Sequence, residues 1–218
     1  MPCFTRSDLT TLFHAFAARM ADERTFLGEL DGEIGDADHG VAMANGFDAA
    51  AQALLRAEGS GQGLAGGFNL AAQELLNAVG ATTGPLYASA LTRAGEVFGE
   101  VASVPLARLP ELVIAICEGV ERRGQGKPGD KTMLDAWGPA AHVAARGLNA
   151  SVGPVVLLRE AAQAAAKGAE DTRAMMAARG RAARLGPRSI GHLDPGAVSA
   201  AALMDVLAEW ARHHEEIA

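Results

Sequence analysis

The stretch LTTLFHAFAARM, residues 9–20, decides the fold class of this chain. Its large apolar side chains recur every three or four residues, at Leu9, Leu12, Phe13, Phe16 and Met20. This spacing places them on one face of an α-helix, whereas a half-buried strand needs strict alternation. The same spacing returns in residues 112–120, at Leu112, Val113, Ile116, Cys117 and Val120. The pattern predicts amphipathic helices that pack through their apolar faces.

The composition agrees with a helical chain. Hydrophobic residues make up 49% of the 218 residues, aromatic residues only 5%, and alanine is abundant. Small side chains of high helix propensity favour closely packed helices over a sandwich of sheets. We therefore predict an all-α fold, with a single domain over residues 1–218.

Charge and apolar patterning exclude several classes of function. A formal net charge of −7 without clustered Lys and Arg argues against a nucleic-acid partner. No apolar run approaches the roughly 18 residues of a membrane span, and Arg6 and Asp8 stand where a signal peptide is apolar. Cys3 and Cys117 lack metal-ligand spacing and indicate a reducing compartment. We expect a cytoplasmic protein without a membrane partner.

Caps and helix breakers divide the chain into eight predicted helices. Their bounds are 5–30, 39–58, 63–79, 84–101, 106–123, 132–149, 154–181 and 195–217. Four connections are unlike plain turns, and each follows an odd-numbered helix: DGEIGDADHG (31–40), VGATTGPLY (79–87), RGQGKPGDKTMLD (123–135) and GRAARLGPRSIGHLDPGAVS (180–199). In an up-and-down antiparallel array these connections lie at one end. Four helix N-termini then meet there, and their dipoles favour an anion.

The first of these loops carries a metal-binding pattern. Asp31, Asp36 and Asp38 follow the spacing D-x4-D-x-D just before a predicted helix. Carboxylate oxygens suit Mg²⁺, which proteins hold through carboxylates together with substrate phosphates. Asp38 as N-cap would leave the amides of His39, Gly40 and Val41 free for phosphate oxygens. The alternative is a solvated acidic turn with one capping Asp. Three aspartates among glycines, beside three other unusual loops, favour the metal site.

The third loop contains two misleading nucleotide patterns. A helical run precedes GQGKPG (124–129), so the strand–turn–helix unit of a dinucleotide fold is missing. Asp130 separates Gly129 from Lys131, which breaks the P-loop pattern. Thr132 and Asp135 predict a capping box, and Lys131 either approaches a phosphate or is solvated.

Proline positions mark two further helix starts on this side. In GATTGPLY the predicted N-cap is Thr83 or Gly84, with Pro85 at the first helical position. Asp194 and Pro195 repeat the arrangement.

The chain contains, in this order, the motifs EIGDADHG, GPLY, PGDKTM and GRAARLGPRSIGHLDPGA. These motifs resemble the signatures of a known family, the nucleotide-binding L subunit (DhaL-type domain) of dihydroxyacetone kinases. The resemblance implies an eight-helix antiparallel barrel with the nucleotide at one end, and two Mg²⁺ ions on Asp31, Asp36 and Asp38. It also implies a set of residues that line ADP or ATP: His39, Gly40, Val41, Ala42, Thr82, Thr83, Gly124, Met133, Arg181, Asp194, Pro195 and Gly196. Ala42 departs from the family, where Asn is common.

The family resemblance implies phosphoryl transfer to dihydroxyacetone or a similar hydroxyketone. A partner K subunit would hold the ketose, and the donor would be either ATP or a phosphohistidine-carrying M subunit that recharges bound ADP. Metal and helix N-termini supply the charge neutralisation that phosphoryl transfer needs. Two alternatives stay open from the residues alone. One is an ADP-dependent regulatory module, and the other is a two-metal phosphohydrolase with His39 as the base.

Overall fold

The apolar periodicity becomes nine α-helices in the computed structural model, which describes residues 2–80, 82–150 and 152–217. The helices are α1 Arg6–Asp22, α2 Arg24–Ile34, α3 His39–Arg56, α4 Leu64–Ala78, α5 Thr83–Phe98, α6 Pro110–Gly124, α7 Leu134–Asn149, α8 Pro154–Asp171 and α9 Pro195–Ile217. Short 3₁₀-helices lie at Leu106–Arg108, Thr172–Ala174 and Ala182–Ser189, and two strands at β1 Cys3–Thr5 and β2 Ser103–Pro105.

The helices close into a ring. From α3 onward each helix packs against the next along the chain, and α1 lies between α3 and α9. α2 continues from α1 and packs against α3 and α9. Consecutive helices that pack side by side run antiparallel, as in an up-and-down array. The predicted all-α, eight-helix antiparallel barrel is therefore confirmed, with α1 and α2 together in place of the first predicted helix.

Aromatic side chains form part of the barrel core. Phe13, Phe16, Phe47 and Tyr87 make a continuous cluster, with ring centroids between 5.5 and 5.8 Å apart in successive pairs. Trp137 is buried beside them, and its indole N–H donates to the Tyr87 hydroxyl at 3.4 Å. Rings at these distances add favourable edge-to-face contacts to the area that they bury.

Glycines bring helices close together just behind the predicted site. An added Cβ at Gly168 in α8 would overlap the carbonyl oxygen of Asp135 in α7. An added Cβ at Gly40 in α3 would overlap the carbonyl oxygen of Arg24 in α2. Packing therefore requires glycine at both positions. These two close contacts fix the start of α7 and the start of α3 at the same end of the barrel.

The first predicted helix, 5–30, is wrong as one continuous element. Glu23 leaves the helical conformation with φ −89° and ψ 0°, and α2 restarts at Arg24. The break lets the backbone of α2 approach Gly40 of α3. Periodicity does not reveal it, because apolar spacing continues through residues on both sides.

The seventh predicted helix, 154–181, ends ten residues early, at Asp171 instead of residue 181. The carbonyls of Thr172 and Met175, which a longer helix would use internally, instead accept hydrogen bonds from the ammonium of Lys131. A tertiary contact therefore ends this helix. The fourth and fifth predicted helices also differ: α5 ends at Phe98, and the 3₁₀-helix Leu106–Arg108 precedes α6.

A small antiparallel sheet, not predicted from the sequence, closes the other end of the barrel. β1 pairs with β2 in the register Cys3 with Pro105 and Phe4 with Val104. Phe4 is fully buried and contacts Phe98 and Trp210. Three residues per strand are too few for a recognisable alternation.

In the described part of the chain, no helix combines the length and apolar character needed to cross a membrane.

Candidate functional site

Four loops converge where α3, α5, α7 and α9 begin, as predicted from their odd-to-even order. They surround a cavity of about 280 Å³. Its walls come from residues 31–39, 82–86, 120–134, 179–182 and 194–196. A cavity bounded by helix N-termini favours a negatively charged ligand.

The three predicted metal ligands lie together on one wall. Asp31, Asp36 and Asp38 each offer a carboxylate oxygen within 4.8 Å of the others. Three hard oxygen donors at this separation fit Mg²⁺. The guanidinium of Arg181 forms ion pairs with Asp36 and Asp38, so a cation already balances the cluster in this structure.

Asp31 has a second role that the sequence analysis assigned to Asp38. The Asp31 carboxylate accepts hydrogen bonds from the amides of Asp38 at 2.9 Å and His39 at 3.2 Å. Asp38 stands at the N-cap position of α3 without a side-chain cap bond. The prediction that Asp38 caps the helix is therefore wrong, and the His39 amide is not free. The acidic loop reaches back because Ala37 adopts a left-handed conformation, with φ 63°.

The N-cap of α5 lies one residue before the first of the two predicted caps. Thr82 occupies the N-cap position without a side-chain cap bond, and Thr83 is the first helical residue. Gly84 packs so closely that an added Cβ would overlap the carbonyl oxygen of Val79. The start of α5 thus has backbone amides, and two hydroxyls, next to the cavity.

Asp135 holds the loop that leads into α7. Its carboxylate accepts from the amides of Gly129 at 2.6 Å and Thr132 at 2.8 Å. The Thr132 hydroxyl accepts from the amide of Leu134 at 3.2 Å. The predicted bond from Asp135 to Thr132 is present, but the reciprocal bond goes to Leu134, so the capping box is confirmed only on one side.

Lys131 lines the cavity but is not solvated, so the solvated alternative from the sequence is wrong and the approach to a phosphate stays a prediction. The residue is 2% exposed, and its ammonium donates to backbone carbonyls of the segment that follows α8. Burial is the main cause that lowers the pKa of Lys131, while Asp194 opposes it. Lysine is almost never buried without such partners.

Asp194 and His39 line the cavity, and each forms a hydrogen bond with α9. Asp194 caps α9 by accepting from the amide of Ala197 at 2.7 Å. Burial raises the pKa of Asp194 to about 7, with Asp135 adding to the rise. The imidazole of His39 is buried and lies 2.9 Å from the Ser199 hydroxyl. Burial lowers the pKa of His39 and so favours its neutral form.

All but three of the predicted site residues line the cavity: Asp31, Asp36, Asp38, His39, Thr82, Thr83, Gly124, Met133, Arg181, Asp194, Pro195 and Gly196. Gly40, Val41 and Ala42 lie outside its lining. Gly40 is packed against α2, Val41 is exposed, and the Ala42 amide donates to the Asp38 carbonyl within α3.

The sequence analysis missed an apolar wall of the cavity. It consists of Ile34, Leu86, Val120 and Leu134. Each lies within one helical turn of a predicted site residue, as Leu86 does with respect to Thr83 and Val120 with respect to Gly124. This spacing is the sequence signal from which the apolar wall could have been predicted. Arg179, Gly180 and Ala182 were also missed, because their positions depend on an irregular segment.

Residues 33–209 match the DAK2 domain. The chain belongs to this family. The matched range holds the whole predicted site except Asp31. Similarity to individual DAK2 proteins extends over most of this chain, though not always over most of theirs.

Among these relatives, the ADP-binding subunit DhaL of the PEP-dependent dihydroxyacetone kinase of Escherichia coli (strain K12) is 37% identical over 186 residues. That alignment covers 85% of this chain and 88% of that protein. The L-erythrulose 1-kinase of Mycolicibacterium smegmatis is 38% identical over 205 residues, which cover 93% of this chain but 35% of that kinase.

Solved structures of similar proteins agree with the fold. The crystal structure of the dihydroxyacetone kinase of C. freundii matches with a TM-score of 0.70 and 28% identity, over 93% of this chain and 34% of that one. The structure of that kinase in complex with AMP-PNP and Mg²⁺ matches equally well. This chain therefore spans about a third of the longer kinases.

Proposed function

We propose that this chain is the nucleotide-binding subunit of a kinase for dihydroxyacetone or a similar small hydroxyketone. It would bind ADP or ATP with Mg²⁺ and present the phosphates to a ketose held by a partner K subunit. The observation that carries the proposal is the aspartate cluster, with ligand oxygens within 4.8 Å, beside the N-termini of α3 and α5. Its support from relatives is the ADP-binding DhaL subunit of E. coli and the AMP-PNP and Mg²⁺ complex of C. freundii kinase.

The proposed metal site comprises Asp31, Asp36 and Asp38, with two Mg²⁺ ions between their carboxylates and the phosphates. Bound Mg²⁺ would neutralise phosphate charge, which is the main requirement of phosphoryl transfer. Arg181 now pairs with two of these carboxylates, and it would turn to the phosphates when metal takes its place. A guanidinium suits this exchange because it binds carboxylate and phosphate oxygens in the same forked geometry.

The rest of the cavity accounts for the nucleotide. Backbone amides and the hydroxyls of Thr82 and Thr83 at the start of α5 suit phosphate oxygens. The apolar side chains of Leu86, Val120 and Leu134 suit the flat face of an adenine base. Gly124 and Met133, between these walls, suit the base edge and the ribose.

The phosphohydrolase alternative is disfavoured by His39. A water-activating base must reach the attacking water by a hydrogen bond. The His39 imidazole is buried, and its Nε2 is bonded to the Ser199 hydroxyl instead. No other histidine lines the cavity in the described part of the chain.

Isothermal calorimetry tests nucleotide binding directly. Mg²⁺ with ADP should bind the wild-type chain at one site, and Asp38→Asn should abolish Mg²⁺-dependent binding. Asp8→Asn is the matched control, because Asp8 is an aspartate at the opposite end of the barrel. Equal Mg²⁺-dependent affinity in wild type and Asp38→Asn would contradict the proposed metal site.

A turnover assay tests the transfer step and the donor. The chain is mixed with Mg²⁺ and dihydroxyacetone, with and without a K subunit, and supplied with either ATP or a phosphohistidine protein. We expect turnover only with the K subunit present, and the donor that supports it decides between ATP as substrate and ADP as bound cofactor. Ketose phosphorylation by the chain alone would contradict the assignment as a nucleotide-binding subunit.

A further inference from the structure

The buried ammonium of Lys131 has an unusual set of partners. Its Nζ lies between 2.5 and 3.3 Å from the backbone carbonyl oxygens of Thr172, Met175, Ser189 and His192. Among the described residues, no carboxylate forms an ion pair with it. One side chain on the loop before α7 therefore gathers both ends of the segment 172–192.

That segment has little regular structure of its own. It contains two 3₁₀-helices, and the second is interrupted at Gly186, which has φ 55° and ψ −128°. Such a segment has no continuous α-helical hydrogen bonding, so some of its buried carbonyls need partners from elsewhere. Lys131 supplies the partner for four of them at a single point.

The middle of the segment forms a wall of the cavity. Arg179, Gly180, Arg181 and Ala182 line it, and Arg181 reaches the aspartate cluster. The segment is also joined to Asp130, the residue before Lys131: the Ala178 amide donates to the Asp130 carbonyl at 3.0 Å, and Arg179 pairs with its carboxylate at 2.9 Å. The loop before α7 thus contacts the segment 172–192 through two neighbouring residues: Asp130 contacts its middle, and Lys131 contacts both of its ends.

We propose that Lys131 is a positioning residue that holds the segment 172–192 in the conformation that forms the nucleotide cavity. This inference rests on the proposed function for its effect on nucleotide binding. Lys131 lines the cavity, but its ammonium is bonded to the four carbonyls. Its backbone is left-handed, with φ 60°, and its side chain is buried.

The primary test is hydrogen exchange without any ligand, comparing Lys131→Met with wild type. We expect faster exchange at segment amides that now donate inside the protein, namely those of Ala177, Ala178 and Gly191. The amides of α7 and α8 should keep their protection. Lys127→Met is the matched control, because Lys127 is an exposed lysine of the same loop. Unchanged exchange in 172–192, or equal acceleration in α7 and α8, would overturn the proposal.

The second test measures coupling to the site by calorimetry with Mg²⁺ and ADP. Lys131→Met should weaken binding roughly 10- to 100-fold, the range seen when a supporting partner of a site is removed. Adding Lys131→Met to Arg181→Met should cost far less than it does in wild type, because Lys131 acts in part through Arg181. Fully additive losses would show general destabilisation and contradict a positioning role.

Two safeguards keep the outcomes distinct. Absence of Mg²⁺–ADP binding in the wild type would defeat the proposed function, while the exchange result would still decide the role of Lys131 in ordering the segment.

Lys131→Arg covers the case in which Lys131→Met does not fold. It keeps the charge, but its planar fork cannot serve four carbonyls at one point, so we expect the same localised acceleration at smaller amplitude. No localised acceleration in Lys131→Arg would then overturn the proposal.

Discussion

The helix N-termini are capped differently at the two ends of the barrel. At the end closed by the small sheet, α1 has a complete capping box between Thr5 and Asp8. Glu100 accepts from the amides of Gly63 and Gly66 at the start of α4, at 2.6 and 2.7 Å. At the cavity end, α5 has no side-chain cap bond from its N-cap residue, and α3 is capped by Asp31, which belongs to the aspartate cluster.

Backbone strain follows the same division. In the described part of the chain, the non-glycine residues with positive φ are Ala37, Gln125 and Lys131, all in loops at the cavity end. Such conformations persist only where surrounding contacts hold them, and they concentrate at functional sites. The start of α5 and the aspartate cluster at the cavity end therefore keep amides and carboxylates that a ligand would satisfy, unlike the capped starts of α1 and α4 at the closed end.

The largest expected effect is the stabilisation of the folded state by ligand, which should depend on residues at the cavity end and not on residues at the closed end. Mg²⁺ with ADP at one hundred times its Kd should stabilise the wild type by about 2.7 kcal/mol, because it binds the folded state only. The double variant Asp36→Asn, Asp38→Asn should lose this gain in thermal unfolding. Asp8→Ala, at the closed end, should lower the starting Tm and keep the gain. Loss of the gain in Asp8→Ala would erase the distinction between the ends.

A second prediction concerns packing at the cavity end. Gly40→Ala should lower the free energy of unfolding by about 2 kcal/mol without ligand, because the added methyl overlaps the Arg24 carbonyl. Gly138→Ala, in the middle of α7 with open space around it, should stabilise by about 0.5–1 kcal/mol. Urea denaturation measures both. A neutral Gly40→Ala would mean that α2 shifts freely, and that this end is less constrained than the structure indicates.

A third prediction concerns the closed end alone. Glu100→Ala should cost about 1 kcal/mol in urea denaturation, because the first turn of α4 loses its cap. Mg²⁺–ADP affinity should remain at the wild-type value. A matching loss of affinity would reveal coupling between the two ends.

The smallest expected effect is a pH dependence in the metal-free protein. The pKa of Asp194 is about 7 in the folded state against an ordinary 3.8, so the folded state holds the proton more tightly. This contribution to stability is complete below about pH 4 and is lost as the pH rises through about 7. Water in the cavity screens the effect, so we expect a Tm difference of roughly 2–4 °C.

Asp194→Asn tests this sign. The amide keeps an acceptor for the Ala197 amide but has no charge to bury. Its Tm should therefore fall less than that of the wild type between pH 4 and pH 8, in scanning calorimetry without metal. Parallel Tm curves for the two proteins would show that Asp194 does not titrate in this range.

The sequence by itself determined the helical barrel and most of the cavity. Apolar spacing such as Leu9 to Met20 is set by the helix period, and the odd-to-even loop order requires the four unusual loops to meet at one end. The D-x4-D-x-D pattern spans only eight residues, so one loop is enough to bring its three aspartates together. These features depend on short-range geometry.

Only the tertiary structure decided the parts that depend on distant partners. Asp31 replaces Asp38 as the cap of α3, because the loop folds back through Ala37. α8 ends at Asp171, and Lys131 is buried, because the carbonyls of 172–192 lie around its ammonium. From the sequence, a lysine that follows Gly and Asp is expected either to be solvated or to approach a phosphate. Its burial is favourable only when residues some forty to sixty positions away supply the four acceptors.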